Sequence, residues 1–295
     1  MLSILIPVYN YDVTLLTQEL SDQLNQLNYV YEIIILDDCS TKPEYIINNK
    51  KLDTIPNCSF ITQSSNKGRT STRLNLAKMA RYEWLLFLDA DVLPLRKNFI
   101  EIILKNINNK VDIIFGGIEY QSKKPIIDNQ LRWLYGRKKE AKNVTQRNQN
   151  LYSSIISLNF VIQKKMCFEV MEKINLNRYG LDVLFSYLLK QKKARVLHLD
   201  NPTLHLGLED NSCFFKKSIS AIETTLYLQK NQRIPKNYKP IQRAYLFLSK
   251  TYTSNLFFIL IKNFEKSITK NLNSNRPNLF LFDLYRLYYF IKIQK

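Results

Sequence analysis

Short apolar runs alternate with helical repeats through the first 120 residues. Ser3–Ile6 (SILI) reads as a buried strand. Across Thr14–Leu27, the residues Leu15, Leu16, Leu20, Leu24 and Leu27 recur at helical spacing. Glu32–Leu36 (EIIIL) predicts a second strand, Cys58–Thr62 (CSFIT) a third, Trp84–Leu88 (WLLFL) a fourth and Val111–Phe115 (VDIIF) a fifth. Helical patterns over Thr70–Arg81 and Lys97–Ile107 separate them. Strand and helix repeated this way predict an α/β fold, a mostly parallel sheet with helices on both faces. Polar residues follow the C-terminal ends of the strands, the edge at which open α/β sheets bind ligands.

Beyond residue 118 the pattern changes. Glu119–Asn150 is polar and basic, with runs such as GRKKEAKN, and predicts a long loop near a site. Packed structure is expected to resume over Ser154–Ile162, followed by a helix at Leu181–Lys190 and a strand at Ala194–Leu199. From Cys213 the pattern is helical. Ile241–Phe264 and Asn278–Ile293 mix aromatic residues with Lys. The expected organisation is an α/β domain over residues 1–210 and a basic, aromatic-rich helical region over 211–295. The chain shows no internal repeat.

Composition narrows the class. The 295 residues are 45% hydrophobic and 23% charged, which is globular rather than disordered or fibrous. Four scattered cysteines without a CxxC pair argue against a zinc ribbon or disulfide scaffold and suit a reducing compartment. The N-terminal MLSILIPVYNYD has no positive n-region and too short an apolar stretch to predict a signal peptide. The most apolar later run, Leu256–Ile261, is far below the roughly 20 residues of a spanning helix.

Charge is uneven. The net charge is +18, and from Asn211 onward 15 Lys and Arg face 3 Asp and Glu. A basic helical tail suits an anionic partner: nucleic acid, an anionic membrane surface or a polyanionic substrate. Codon usage rich in Lys, Asn and Ile accounts for the charge equally well. Aromatic and aliphatic residues at helical spacing in the tail fit either a membrane surface or packing against the rest of the chain.

Candidate chemistry clusters after the strands. Asp89 and Asp91 close the fourth strand, where two carboxylates suit a hard divalent cation bridging to a diphosphate. A turn with two solvated carboxylates has the same sequence. Asp37 and Asp38 close the second strand and could accept from a base or a ribose, or cap a turn. Pro7, Tyr9 and Asn10 close the first, where Tyr9 could stack on a base. Lys67, Gly68, Arg69 and Arg73 lie at a helix start, a setting that suits a diphosphate. His205 could be a third metal ligand, whereas His198 reads as structural. Asp182 opens a helix and could be a cap or a general base.

Taken in order, SILIPVYN, EIIILDDCS, NKGRTSTR, WLLFLDADVLP, YGLDVLF and NPTLHLG resemble a family 2 glycosyltransferase with a GT-A fold, over roughly Met1 to Gly207. The resemblance implies an inverting sugar transfer (a hexosyltransferase-type activity) from a nucleotide diphosphate to a glycan or lipid-linked saccharide, in bacterial polysaccharide biosynthesis. By motif, Pro7, Tyr9, Asn10, Lys67 and Arg73 border the nucleotide and Asp38 binds the base. Asp89 contacts ribose or metal, Asp91 is the chief metal ligand, His205 completes the site, and Asp182 is the general base. A divalent cation (Mn or Mg) and a UDP-sugar are the implied cofactor and donor. The implied location is cytoplasmic, with the tail at the inner face of the plasma membrane.

Two positions depart from the family pattern: Leu181 replaces the Glu before the base, and Leu74 rather than Asn follows Arg73. Three other classes share part of the pattern. A nucleotidyltransferase-type enzyme prefers a Gly-rich basic loop after the first strand, which PVYNYD is not. An inactive transferase-like nucleotide-binding module would lack part of the Asp89, Asp91, Asp182 and His205 set. No nucleic-acid-binding motif accompanies the basic excess, so no nucleic-acid partner is expected.

Overall fold

The computed structural model describes residues 1–153 and 155–295. Ser154, where the pattern predicts packing to resume, lies outside the described residues. In chain order the elements are β1 (Leu2–Val8), α1 (Thr14–Asn25), β2 (Tyr31–Asp37), α2 (Pro43–Lys50), β3 (Cys58–Thr62), α3 (Arg69–Met79), β4 (Trp84–Leu88), β5 (Val92–Pro94), α4 (Phe99–Asn106), β6 (Ile113–Phe115) and β7 (Ile118–Glu119). There follow α5 (Gln130–Tyr135), α6 (Val144–Asn148), β8 (Asn159–Gln163), α7 (Lys164–Met171), α8 (Asp182–Gln191), β9 (Val196–His198) and β10 (Thr203–His205). The chain ends with α9 (Asn211–Lys230), α10 (Pro240–Lys250), α11 (Ser254–Leu272) and α12 (Leu279–Lys292). Contacts divide the chain into two compact units. The first comprises Met1–Gln121, Glu140–Asn177 and Leu188–Gly207, the second Ser122–Lys139, Arg178–Tyr187 and Leu208–Lys295.

The first unit is built on a seven-stranded sheet of order β3-β2-β1-β4-β8-β6-β9. The strands β1, β2, β3 and β4 run parallel. β8 runs antiparallel to both β4 and β6. β1 and β2 are almost wholly buried, which explains their continuous apolar sequences, because helices cover both faces of such a sheet. A second sheet of three short strands, β5-β10-β7, carries two segments that matter below. The strand order reverses between β1 and β4. At such a reversal the connections leave in opposite directions and open a crevice beyond the strand ends.

The polar stretch 119–150 is not a long loop. It contains α5, a wide turn over Gly136–Glu140 and α6. Its basic composition conceals a buried arginine. The Arg147 guanidinium donates to the carbonyls of Lys142 (3.1 Å), Phe115 (3.0 Å), Gly116 (3.2 Å) and Leu199 (2.7 Å). Burial lowers its pKa, partly opposed by the charge of Asp200. Four carbonyls replace a carboxylate here, satisfying the donors of a charge that would be costly to bury unpaired.

The second unit is helical. Leu131, Phe214, Ile261, Ile268, Leu272, Phe282, Tyr285 and Tyr288 form its main buried cluster. Glu265 accepts hydrogen bonds from the hydroxyls of Tyr285 (3.0 Å) and Tyr288 (3.2 Å), so both phenols find partners beside apolar packing. The stretch Ile241–Phe264 is two helices rather than one. α10 stops where the Thr251 hydroxyl donates back to the Phe247 carbonyl and Tyr252 turns to φ 58°. The aromatic residues of the tail therefore divide. Phe282, Tyr285, Tyr288 and Phe290 are buried, while Phe247, Tyr252, Phe264 and Phe280 are exposed.

Candidate active site

Because β1, β2 and β4 are parallel, the residues that follow them emerge at one edge of the sheet. Val8 lies opposite Asp37 in the register, and the Asp38 N–H donates to the Val8 carbonyl at 2.8 Å. Pro7 is half-buried on β1 opposite Leu36, and Tyr9 is exposed. Asn10 ties the two strand exits together. Its N–H donates to Ser40 Oγ (2.7 Å), and its side-chain oxygen accepts from the N–H groups of Thr41 (2.8 Å) and Lys42 (3.1 Å). Asn10 sits at φ 50°, a left-handed conformation that Asn tolerates better than most residues.

Asp38 is buried and holds the segment ahead of α3. One carboxylate oxygen accepts from the Lys67 N–H (2.6 Å) and Gln63 Nε2 (2.9 Å), the other from the Gly68 N–H (2.8 Å). Asn75, the displaced Asn of the glycine segment, donates to Gln63 Oε1 at 2.7 Å and so supports the same cluster. Gly68 has φ +81°, and an added Cβ there would lie 2.3 Å from Asn177 Oδ1. Both the backbone conformation and the close approach require glycine. The Lys67 side chain is exposed.

One helical turn apart on α3, Arg69 and Arg73 reach the same carboxylate. Arg69 bonds one oxygen of Asp89, and Arg73 Nη2 bonds the other at 2.5 Å. Arg73 is buried and also donates to the Ser157 hydroxyl (2.9 Å) and the Ser157 carbonyl. Its guanidinium lies over the Phe160 ring, 5.9 Å from the centroid. Asp89 is thus bound between two guanidiniums.

Asp91 has different neighbours. β5 starts at Val92 and β10 ends at His205, and those two residues are register partners in an antiparallel pair. The pairing brings Asp91 beside the residues that leave β10. Its carbonyl accepts from the Leu206 N–H at 2.8 Å, and its carboxylate lies 3.2 Å from His205 Nε2. Gly207 leaves room for that carboxylate, since an added Cβ would fall 2.1 Å from Asp91 Oδ2. Burial raises the Asp91 pKa, but the hydrogen bond and charge of His205, with the charge of Arg69, outweigh it and leave the carboxyl below its ordinary value. His205 is 8% exposed, and the Tyr120 ring lies 5.3 Å from its own. Burial raises the Tyr11 pKa, and the Asp91 charge adds to that rise.

Asp182 is exposed, is the first residue of α8 and is assigned to the second unit. Leu181, at the usual Glu position, is buried. His198 is structural. It is buried, its Nε2 pairs with the Leu151 carbonyl (2.9 Å), and its ring stacks on Phe115. The structure therefore brings together Asn10 with Ser40, Asp38 with the Lys67–Gly68 backbone, Asp89 with Arg69 and Arg73, and Asp91 with His205. Sequence reading did not single out Gln63, Ser157, Gly207 or Tyr11. Of these, only Gly207 carries a local signal, as a glycine two residues past the candidate His.

A family model described as Glycosyl transferase family 2 matches residues 3–165. The chain belongs to glycosyl transferase family 2. Its architecture is the GT-A fold, a mainly parallel sheet flanked by helices with a helical C-terminal region. Among solved structures, this family 2 chain resembles mannosyltransferase PcManGT from Pyrobaculum calidifontis in complex with GDP-Man and Mn2+. The two share 14% identity at TM-score 0.53, over 84% of this chain and 69% of that one. Mannosyl-3-phosphoglycerate synthase from Rubrobacter xylanophilus matches at 12% identity and TM-score 0.54, over 80% and 76%. Glucosyl-3-phosphoglycerate synthase from Mycobacterium tuberculosis, with Mn2+, UDP and glucosyl-3-phosphoglycerate, matches at 10% identity and TM-score 0.51, over 77% and 79%. No curated protein matches the sequence.

The fit to a divalent cation can be tested on this family 2 site. Among the described residues no group of three or more His, Cys, Asp and Glu side chains is gathered to hold a metal. Asp91 and His205 do present one carboxylate and one imidazole nitrogen 3.2 Å apart. Adjacent ligands of an octahedral ion with bonds of about 2.1 Å lie about 3 Å apart. His205 Nδ1 is buried without a partner among the described residues, so the ring lacks the outer acceptor that usually fixes a metal-binding His. Two protein ligands fit an ion that draws its remaining ligands from water and substrate phosphates.

Proposed function

We propose that this glycosyltransferase moves a sugar from a nucleotide diphosphate to an acceptor hydroxyl, inverting the anomeric centre. The observations that carry the reading are the Asp91–His205 pair beside Gly207 and the Arg69–Asp89–Arg73 cluster, both set by residues just past the end of β4. Pro7, Tyr9 and Asn10 border the nucleotide, with the exposed Tyr9 ring available to stack on the base. Asp38 faces the base through the one lone pair left after accepting from Gln63, Lys67 and Gly68. Arg73 acts by positioning Asp89, which contacts ribose or metal. Asp91 and His205 would hold Mn or Mg, and that ion when bound would supply positive charge for the leaving diphosphate. Lys67 and Arg69 are exposed cations two residues apart in the segment that opens α3, and they add electrostatic stabilisation.

In the transfer step, the acceptor oxygen forms its bond to the anomeric carbon as the bond from that carbon to the diphosphate oxygen breaks. Asp182 takes the hydroxyl proton. It is the general base by the resemblance of YGLDVLF and by its exposed place at the start of α8. No protein nucleophile is needed, because inversion takes one in-line displacement. The donor is a UDP-sugar and the acceptor a glycan or lipid-linked saccharide in bacterial polysaccharide biosynthesis.

Calorimetry of nucleotide diphosphates with and without manganese, on wild type and Asp91→Ala, tests this reading. Manganese-dependent binding of one nucleotide, lost in the variant, is the expected result. Binding that ignores manganese overturns the metal assignment, and no binding of any nucleotide overturns the donor site. Manganese alone binds weakly, because the protein supplies few ligands.

We also propose that the second unit meets an anionic membrane surface at the inner face of the plasma membrane. Its residues include 22 Lys and Arg against 7 Asp and Glu, so it carries +15 of the +18 net charge. On α11, Leu256, Ile259, Leu260 and Phe264 are exposed at a spacing that places them on one face, beside Lys262 and Lys266. Among the described residues no helix is long and apolar enough to cross a membrane. Co-sedimentation with anionic vesicles is expected to fall for Leu260→Asp/Phe264→Asp. Equal pelleting of variant and wild type counts against the contact.

A further inference from the structure

A groove of about 590 Å³ opens on the second unit, between the segment ahead of α5, α5 itself and the turn that leads into α12. That volume falls in the range of small-molecule sites. Lys124, Lys138 and Arg276 line it, and among the described residues no carboxylate does. Among the described residues none of the three is ion-paired. Lys124 Nζ donates to the Asn275 carbonyl at 3.0 Å, which fixes it to the wall and leaves two of its three protons for another acceptor. The remaining lining is largely apolar, including Trp133 and Phe280, the latter 68% exposed. Gln130 also borders the groove. Its side chain is buried, and its Oε1 has no partner among the described residues.

Three cations lining one groove with no acid among its described lining residues repel one another, and an anion bound there relieves that cost. Free phosphate would meet the cations but leave the apolar wall in water. A neutral apolar molecule would do the reverse. We propose that this groove binds a lipid phosphate, with the phosphate among Lys124, Lys138 and Arg276 and the first part of the apolar tail along Trp133 and Phe280. This goes beyond the transfer reaction, since the ligand is recognised without any nucleotide or acceptor sugar.

The test titrates the full chain with dihexanoyl phosphatidic acid below its micelle concentration, following tryptophan fluorescence. Inorganic phosphate and dihexanoyl phosphatidylcholine are run alongside. Saturable binding of the phosphatidic acid is expected, at least tenfold tighter than either comparison. Lys138→Glu/Arg276→Glu should weaken it at least tenfold while the melting curve and nucleotide binding stay as in wild type. Both side chains are exposed and, among the described residues, without acid partners, so the variant should fold. Phe280→Ala should weaken the lipid but not the weak binding of inorganic phosphate. Three results overturn the proposal: no saturable binding to wild type, inorganic phosphate binding as tightly as the lipid, or unchanged affinity in the charge-reversed variant. A failed sugar-transfer assay leaves these readings untouched.

Discussion

Gly207→Ala isolates the candidate site from the fold. The added methyl would lie 2.1 Å from Asp91 Oδ2 and 2.8 Å from its Cγ. Ordinary contact between such atoms needs more than 3 Å, so the carboxylate must move by about 1 Å. The nearest obstacle is the carboxylate at the end of a side chain, Asp91 Cβ at 2.9 Å must give by only a few tenths of an ångström, and Gly207 is not in the left-handed region. The fold therefore accommodates the change, at a cost at or below the roughly 1–3 kcal/mol of overpacking. The site does not, because moving Asp91 separates it from His205 Nε2, now 3.2 Å away. A misplacement of about 1 Å at a catalytic geometry costs on the order of 100-fold. Loss of one charge-assisted contact, about 1.5–3 kcal/mol, gives roughly 10- to 150-fold.

The assay is calorimetry of the nucleotide diphosphate in manganese, with thermal melts as the control, on Gly207→Ala, Asp91→Ala and the double variant. Nucleotide affinity should fall at least tenfold in Gly207→Ala with little change in melting temperature. In the Asp91→Ala background the glycine change should add little to the loss of nucleotide affinity, because the carboxylate is gone and only the contact with the Cβ of residue 91, at 2.9 Å, remains. Affinity within twofold of wild type in Gly207→Ala, or a full second loss in the double variant, refutes the reasoning.

Other expectations follow from the same structure. Asp182→Asn should lower kcat by about 100- to 10,000-fold while donor binding is kept, since a general base acts on the acceptor proton; steady-state kinetics beside calorimetry separates the two. Phe282→Ala empties a fully buried position among Phe214, Phe215 and Tyr135 and should destabilise the protein by about 3–5 kcal/mol, read by denaturant unfolding. Asp112→Asn tests pH dependence. The Arg195 side-chain hydrogen bond outweighs burial and holds the Asp112 carboxyl below its ordinary 3.8. A depressed carboxyl stabilises the folded state above its unfolded pKa, so the gap between wild type and variant should be flat from pH 8 to about 5 and shrink as pH falls below about 4. A gap that widens on acidification contradicts the pairing.

Elements buried on both faces were the readable ones. β1, β2 and β4 stand within one or two residues of their apolar runs, because a run of four or five large apolar residues has no other way to leave water, while β3, a half-exposed edge strand, matches its expected range through its β-branched and aromatic residues. Site residues at their C-terminal ends followed from the same reading, since a parallel sheet aligns those ends. β5, β7 and β10 were not readable. Two or three residues carry no period, and their pairing joins positions more than 80 residues apart. Arg147 was hidden for a related reason. A basic run looks alike whether its charges meet water or four carbonyls. Leu131, in a segment read as a loop, is wholly buried in a core built mainly by α9, α11 and α12. Only the folded chain brings it there.

The Asp-x-Asp at 89–91 shows how spacing and environment part company. Read as a motif, two carboxylates two residues apart suggest one shared ion. The strand ends at Leu88, so the alternation that would aim both side chains alike no longer applies. Asp89 turns to α3, where both of its oxygens meet guanidiniums. Asp91 turns to the end of β10, where an imidazole and a glycine make its space. Arg69 links the two, bonded to Asp89 and near enough for its charge to act on Asp91. An anion arriving at Asp91 therefore approaches a side chain already committed to Asp89. Binding of a diphosphate would draw Arg69 outward, and Arg73, buried on Ser157, would keep Asp89 in place. The exposed arginine can follow the substrate, and the buried one holds the carboxylate it leaves behind.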